Sequence, residues 1–200
     1  MVFVGTSGIL GRFVPLAAPV AVWWRAVIAL FLLAGFCWYR GASFRPPDRK
    51  QLSIVLLAGL LMAAHWLTYF EALQRSSVAI GMLSIFTFPA MTTLLEPLFF
   101  QKPFVGRHLL LAALVMLGIY FLAPSFDLRD GATVGMLFGL LSAFIYSLRN
   151  LLMKTQIDSV DSTVLMTYQA GVATVVVLPF LFFHQAVPTA DAWPYLIGLG

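Results

Sequence analysis

Residues 76–101 read SSVAIGMLSIFTFPAMTTLLEPLFFQ, and this stretch decides how the rest of the chain is interpreted. It is long enough to span a bilayer, which takes about 20 apolar residues in a helix. It nevertheless contains one carboxylate, Glu96, and two prolines, Pro89 and Pro97. Hydrocarbon disfavours a charge, and an interior proline removes a backbone hydrogen bond, so a plain membrane anchor needs neither feature. The combination indicates a helix that lines a pathway or acts as a hinge.

The composition indicates a polytopic membrane protein. Of the 200 residues, 61% are hydrophobic and 10% are charged, whereas soluble domains carry roughly 25% charged residues. The formal net charge is +4, but the basic residues lie in short loops between apolar runs, which is typical of membrane topology and not of nucleic-acid binding. The single Cys37 excludes an internal disulfide, and neither a zinc motif nor a phosphate-binding loop is present. We therefore expect no metal, no cofactor and no nucleic-acid partner.

Apolar runs predict seven membrane-spanning segments and the start of an eighth. The predicted segments cover residues 1–18, 19–39, 52–73, 77–99, 108–123, 131–153 and 162–183, with a further run at 191–200. The first segment is short for a span and the last run is too short to cross. The numbering is therefore expected to cover part of a longer protein.

Small residues predict where helices approach one another closely. Gly131, Gly135, Gly139 and Ala143 recur every four residues along the sixth segment, and we call these four residues the small-residue ridge. Gly59 and Ala63 repeat the pattern on a smaller scale in the third segment. Stripes of small side chains let two membrane helices pack backbone to backbone.

Basic residues predict the orientation of the chain. Most of them lie in loops 40–51 and 101–107 and in the region 149–161, whereas the opposite loops hold Arg75 and Arg129. Because basic loops face the cytoplasm, we expect a multi-pass protein of the cell (inner or plasma) membrane with a cytoplasmic N-terminus. Arg149, Asn150 and Lys154 are then interpreted as topology-setting residues, with a place in the pathway as the alternative.

An internal repeat is also visible. Two pairs of stretches can be laid over one another, 4–12 over 146–154 and 20–30 over 164–174. The alignment places Arg25 opposite Gln169. Five spans separate the two copies, and an odd number inverts the second copy in the membrane, as in inverted-repeat transporters.

Three short patterns carry a family resemblance: Gly5-Thr6-Ser7 closed by Arg12, the stretch ALQRSSV at 72–78, and Pro89 followed by TTLL at 92–95. On these residues the chain resembles the EamA family of the drug/metabolite transporter superfamily, over its whole length. It departs from the family pattern at Val4, where an aromatic residue is usual. It departs again at Gln101-Lys102, which replaces a usual Gly-Glu, and at Glu96-Pro97, where small apolar residues are common.

The resemblance implies an all-α membrane protein with a ten-helix fold of two inverted five-helix repeats. Residues 1–125 would form the first repeat, and residues 131–200 an incomplete second one. It also implies a secondary transporter, not an enzyme, that exports small organic metabolites such as amino acids by alternating access. The expected partners are a small-molecule substrate and the lipid bilayer.

The candidate substrate-binding residues are polar or aromatic side chains inside apolar segments: Arg25, His65, Trp66, Tyr69, Tyr146 and Gln169. His65 lies one helical turn from Tyr69, and a titratable imidazole among aromatic rings suits aromatic or amphipathic substrates and proton coupling. The alternative for His65 is a structural hydrogen bond between helices. Arg25 suits a substrate carboxylate, and its alternative is snorkelling to the membrane interface.

The candidate coupling or gating residues are Pro89, Glu96 and Pro97. Pro89 is expected to bend its helix and release the carbonyl of Ile85, and Pro97 to release that of Thr93, with the hydroxyls of Thr92 and Thr93 as replacement donors. Glu96 lies ~28 Å along its helix, at the predicted cytoplasmic boundary. It is a gate or cation site, or else an interfacial carboxylate paired with Lys102 or Arg107. Glu71 is expected to pair with Arg75 at i+4.

Two other functions remain as alternatives. Gly5-Thr6-Ser7-Gly8 matches the G-x-S-G pattern of rhomboid intramembrane proteases, with Ser7 as nucleophile and His65 as base two helices later. The residues that follow His65 depart from the rhomboid pattern. A membrane scaffold without transport activity is the second alternative, but a scaffold does not need Arg25, His65 and Gln169 in its interior.

Overall fold

The computed structural model describes residues 13–44, 48–122, 127–155, 161–183, 188 and 190–199, and within these ranges every regular element is a helix. The α-helices are α1 (Ala18–Tyr39), α2 (Arg49–Arg75), α3 (Val78–Ile85), α4 (Phe88–Phe100), α5 (Gly106–Leu122), α6 (Gly131–Lys154), α7 (Ser162–Val177) and α8 (Trp193–Leu199). Two 3₁₀ segments cover Leu178–Phe183 and Ala190–Ala192.

In the described part of the chain, five helical stretches are long and apolar enough to cross a membrane. They are Ala18–Tyr39, Arg49–Arg75, Val78–Phe100, Gly131–Lys154 and Ser162–Phe183. The shorter apolar helix α5 corresponds to the predicted fifth segment. The prediction of an all-α membrane protein is confirmed. Residues 1–12 of the predicted first segment lie outside the described residues, and they include Val4, Gly5, Ser7 and Arg12.

Side-chain caps fix the beginnings of several helices. At α2, the Asp48 carboxylate accepts from the Gln51 N–H at 2.7 Å, and the Gln51 side chain accepts from the Asp48 N–H at 3.3 Å. At α3, Ser77 Oγ accepts from the Ile80 N–H at 3.1 Å. At α7, Asp161 accepts from the Thr163 N–H at 2.8 Å. Each cap satisfies backbone donors that have no partner within the helix.

The predicted fourth segment is two helices and not one bent helix. α3 ends at Ile85, and α4 begins at Phe88. In the break, Thr87 donates to the Ser84 carbonyl through both its N–H, at 3.3 Å, and its hydroxyl, at 2.7 Å. Pro89 is the second residue of α4, where its missing N–H costs no helical hydrogen bond. The disturbance expected at Pro89 therefore takes the form of an interruption just before it, and the role of Pro89 as a hinge stays a prediction.

The hydroxyls of α4 do not act as expected. Thr92 Oγ1 donates to the Phe88 carbonyl at 2.7 Å, and Thr93 Oγ1 donates to the Pro89 carbonyl at 2.8 Å. Neither hydroxyl serves the carbonyls expected to be released by the two prolines, so that prediction is wrong. Pro97 lies inside α4 without ending it.

α4 ends in a left-handed residue that is not glycine. Gln101 has φ 51° and ψ 40°, and the N–H of the following Lys102 donates to the Pro97 carbonyl at 3.0 Å. The chain turns sharply here, and Lys102 Nζ lies 3.4 Å from the Glu96 carboxylate.

The chain divides into two compact units. The terminal unit comprises residues 1–64 and 152–200, and the central unit comprises His65–Leu151. These units are not the predicted repeats 1–125 and 131–200, and the repeats stay a prediction.

Within the terminal unit, α1 packs on α7. Cys37 Sγ lies 3.6 Å from Thr167 Oγ1, and both side chains are buried. Gly59 of α2 also lies against α7, because a Cβ built at Gly59 would come within 2.5 Å of Val172 Cβ. The predicted close approach at Gly59 is therefore confirmed.

Within the central unit, the small-residue ridge of α6 lies against the end of α2 and against Gly81 and Ser84 of α3. A Cβ at Gly135 would lie 2.6 Å from Ser76 Cβ, and a Cβ at Gly139 would lie 2.5 Å from Ser84 Cβ. A Cβ at Gly131 would lie 3.3 Å from the Arg75 carbonyl oxygen. The ridge is a contact surface at which the backbones approach more closely than alanine permits, as predicted.

Candidate functional site

Four side chains meet inside the central unit, and we call them the imidazole–tyrosine cluster: His65, Tyr69, Ser142 and Tyr146. His65 and Tyr69 are one turn apart on α2, and Ser142 and Tyr146 are one turn apart on α6. Residues spaced by four share a face of a helix, so each helix presents a pair to the other. The sequence analysis identified three of the four and missed Ser142.

The rings of the cluster are stacked. The His65 ring lies 4.6 Å from the Tyr146 ring, at 27° between planes, and 6.2 Å from the Tyr69 ring, at 6°. Phe88, at the start of α4, meets Tyr146 edge to face at 4.9 Å. The residue after the helix break is thereby in contact with the cluster.

Hydrogen bonds connect His65 to Ser142. The Ser142 hydroxyl donates to the His65 carbonyl at 2.8 Å. The ring Nδ1 of His65 lies 2.8 Å from Ser142 Oγ and 3.2 Å from the Ser142 carbonyl oxygen. The structural alternative for His65, a hydrogen bond between helices, is therefore confirmed.

Burial within the cluster is uneven. His65 and Tyr69 are each 7% exposed, and Ser142 is fully buried, whereas Tyr146 is partly exposed. Trp66, also on α2, is 8% exposed. Aromatic faces offer apolar area and a negative ring surface, and the imidazole and phenol groups offer hydrogen bonds. Such an arrangement suits an amphipathic ligand with an aromatic or cationic part.

The serine in contact with His65 is not the serine that the protease alternative names. Ser142 Oγ lies 2.8 Å from His65 Nδ1 and 2.8 Å from the His65 carbonyl oxygen. Ser7, the nucleophile of the protease alternative, lies outside the described residues.

The remaining substrate candidates, Arg25 and Gln169, belong to the terminal unit. Gln169 is fully buried, and its Nε2 donates to the Leu165 carbonyl at 3.1 Å and lies 3.3 Å from Met153 Sδ. Arg25 is partly buried and directly follows Trp23 and Trp24, whose rings meet edge to face at 5.1 Å. Of the six substrate candidates, four therefore belong to the central unit and two to the terminal unit. The four are His65, Trp66, Tyr69 and Tyr146.

The charged candidates pair locally. Glu96 is ion-paired with Lys102 at 3.4 Å, which is what its interfacial alternative expects. Glu71 pairs with Arg75 at 2.7 Å, as predicted. Arg149 is only 8% exposed, which is not typical of a topology-setting loop charge, and it donates to the Asn150 side chain at 3.0 Å.

A separate apolar groove of about 470 Å³ lies beside the helix break. Its lining residues are Leu83, Phe86, Thr87, Val115, Gly118, Ile119 and Phe121. It contains no member of the imidazole–tyrosine cluster, and it offers a single polar side chain, Thr87. Among the described residues, no three His, Cys, Asp or Glu side chains form a group that could hold a metal.

Comparison with known proteins agrees with this architecture. The model of the EamA-like transporter family matches residues 1–123 and 133–200. A protein of Archaeoglobus fulgidus described as an uncharacterized transporter is 27% identical over 155 residues, which are 77% of this chain and 53% of the relative. The chain thus spans about half the length of that curated relative. No solved structure matches the chain significantly. The chain belongs to the EamA-like transporter family.

Proposed function

We propose that the protein is a secondary transporter that exports small organic metabolites such as amino acids by alternating access. The observation that supports this best is the imidazole–tyrosine cluster. It places a histidine and two phenol rings well inside two membrane-spanning helices, where polar groups are costly and usually functional. Export and the amino-acid class are inferred from the family resemblance.

In this proposal, the cluster contacts the substrate. Tyr146 is its most exposed member and would offer a ring face to the apolar part of the substrate. His65, Tyr69 and Trp66 would form the wall behind it. Arg25 and Gln169 are proposed as further substrate contacts in the terminal unit, with Arg25 facing a carboxylate.

The break between α3 and α4 is proposed as the hinge, since the Thr87 N–H donates to Ser84 in a 3₁₀-type bond and Pro89 has no N–H to donate to the Ile85 carbonyl. Glu96, Pro97 and the ion pair with Lys102 are proposed as a gate at the cytoplasmic end of α4. The proposed gate depends on the predicted orientation, in which the protein lies in the plasma membrane with its N-terminus in the cytoplasm. The inverted repeats 1–125 and 131–200 are proposed as the elements that exchange conformation.

Transport is tested with the full-length protein in liposomes loaded with a labelled amino-acid mixture. We expect release that responds to a proton gradient. Tyr146→Ala should lower the flux about 2- to 10-fold, the equivalent of ~0.5–1.5 kcal/mol of aromatic contact. Tyr120→Ala on α5, whose ring is 58% exposed, is the matched control and should keep its flux. Absence of flux from wild-type protein, under any gradient, would contradict the proposed transport of amino acids.

Gating is tested at the ion pair. Glu96→Gln removes the charge with little change in shape, and Lys102→Gln removes the partner. If the pair closes the gate, both variants should change the pH dependence of transport in the same way. An unchanged pH dependence of transport in Glu96→Gln would show that Glu96 is an interfacial carboxylate and not a gate.

A further inference from the structure

The Ser142 carbonyl restricts the state of the imidazole. Its oxygen lies 3.2 Å from His65 Nδ1 and carries no hydrogen, so it can only accept. A hydrogen bond between these two atoms requires a hydrogen on Nδ1. With that hydrogen in place, Ser142 Oγ accepts from Nδ1 at 2.8 Å and donates its own hydrogen to the His65 carbonyl at 2.8 Å.

We propose that Ser142 is a positioning residue, which fixes His65 as the Nδ1–H tautomer so that Nε2 is the ring atom that takes up a proton. In a neutral imidazole one nitrogen donates and the other accepts. Because both Ser142 acceptors face Nδ1, the lone pair is assigned to Nε2. Nε2 is therefore the atom of the cluster that binds a proton, and this conclusion does not depend on which group Nε2 contacts.

Protonation at Nε2 preserves the link between the two helices. The imidazolium has a hydrogen on each nitrogen, so Nδ1–H keeps its bonds to Ser142 when the second proton arrives. The new charge instead appears between stacked phenol rings, whose faces attract cations. Uptake of a proton therefore changes the electrostatics of the cluster without breaking the α2–α6 contact.

The titratable and charged neighbours of the ring come from the helices packed around it. α2 contributes Tyr69, and α6 contributes Tyr146. Arg149 of α6 interacts electrostatically with Tyr146 and adds positive charge on that side. α4 contributes Phe88, which is apolar.

The tautomer is measured by ¹⁵N NMR of the full-length protein labelled at histidine and held in detergent micelles. His65 signals are assigned by their loss in His65→Gln, which leaves His108 and His184. In the neutral form we expect a hydrogen-bearing Nδ1 and a bare Nε2. On acidification the Nε2 signal should change to the hydrogen-bearing type while Nδ1 keeps its hydrogen. A neutral ring with its hydrogen on Nε2 would overturn the proposal.

The part played by the Ser142 hydroxyl is tested with a matched pair of serine variants. Ser142→Ala removes one of the two acceptors at Nδ1, so a measurable Nε2–H population should appear. Ser147→Ala removes a hydroxyl from the same helix whose hydrogen-bond partners are the Phe88 and Ala143 carbonyls, so the tautomer should stay as in wild type. Equal tautomer populations in the two variants would show that the hydroxyl does not position the ring.

The consequence for transport rests on the function proposed above and is tested with His65→Asn. Asparagine can place a side-chain N–H near the Nδ1 position, but it has no basic atom in place of Nε2 and so takes up no proton. We expect a flattened pH profile of transport. An unchanged profile would overturn proton uptake at Nε2. If wild type shows no flux at all, the transport proposal fails, whereas the NMR result still decides the tautomer.

Discussion

Substitution of Gly139 by alanine measures how strongly the small-residue ridge holds the central unit together. The new Cβ would lie 2.5 Å from Ser84 Cβ, whereas ordinary van der Waals contact begins near 3.4 Å. The backbones of α3 and α6 must therefore separate by roughly 0.9 Å. A gap of about 0.5–1 Å forfeits a quarter to a half of each dispersion contact, and overpacking of this kind costs about 1–3 kcal/mol.

The control for this substitution is Gly118→Ala on α5. A Cβ at Gly118 would meet nothing within 4 Å, and alanine is favoured over glycine in a helix by up to about 1 kcal/mol. That gain is common to both variants and cancels in their difference. Gly139→Ala should therefore be less stable than Gly118→Ala by about 1–3 kcal/mol.

The assay is equilibrium unfolding of the purified protein by SDS in mixed micelles, followed by tryptophan fluorescence. Gly135→Ala is expected to behave like Gly139→Ala, because its Cβ would also lie 3.0 Å from the Ala72 carbonyl oxygen, which is backbone. Equal midpoints for Gly139→Ala and Gly118→Ala would refute the reasoning, since α3 and α6 would then be loosely packed.

Three further outcomes are expected. The hydrogen bond from the Thr163 N–H lowers the pKa of Asp161, so the cap stabilises α7 above the unfolded-state pKa, and this stabilisation is lost as pH falls through the lower folded-state pKa. In acid titrations of stability, Asp161→Asn should therefore lack this acid-induced loss of stability. An acid titration of the variant like that of wild type would contradict the role of the cap. Ser77→Ala should lower stability by about 0.5–2 kcal/mol through loss of the α3 cap, whereas Ser77→Asp should retain it. Cys37, which is fully buried beside Thr167, should react with maleimide only after unfolding, and rapid labelling of folded protein would show that α1 and α7 separate.

Hydropathy located most of the helices, because bilayer thickness demands long apolar runs. The predicted segment 131–153 corresponds to α6 at Gly131–Lys154, and 19–39 corresponds to α1 at Ala18–Tyr39. The third segment, predicted at 52–73, begins earlier in the structure, at Arg49. Hydropathy does not register the reciprocal cap between Asp48 and Gln51 that extends this helix into polar sequence.

The candidate site was only partly accessible from sequence. His65 and Tyr69 could be paired because they are one turn apart on one helix. Ser142 was missed, although it lies one turn before Tyr146, which had been singled out. Its contact with His65 joins residues 77 positions apart, and helix periodicity gives no information about which two helices meet.

The break between α3 and α4 shows a different limit. A proline in an apolar run predicts a disturbance near the carbonyl four residues before it, here that of Ile85, but not which side chains form the turn. In the structure it falls before Pro89, at Phe86 and Thr87, and Ser84 and Thr87 supply the hydrogen bonds of the turn. Ser84 and Thr87 thus form the turn between α3 and α4, and the position of Pro89 in the sequence does not specify their roles.

The left-handed conformation of Gln101 at the end of α4 indicates which substitution at this position would raise thermal stability. A non-glycine residue pays about 1 kcal/mol or more in that conformation, so a screen for thermal tolerance should favour Gln101→Gly. Glycine would also widen the range of directions in which the chain leaves the helix, and the Lys102 ammonium would reach Glu96 less often. A substitution at Gln101 that raises thermal stability is therefore expected to weaken the Glu96–Lys102 ion pair and any pH dependence that this pair confers.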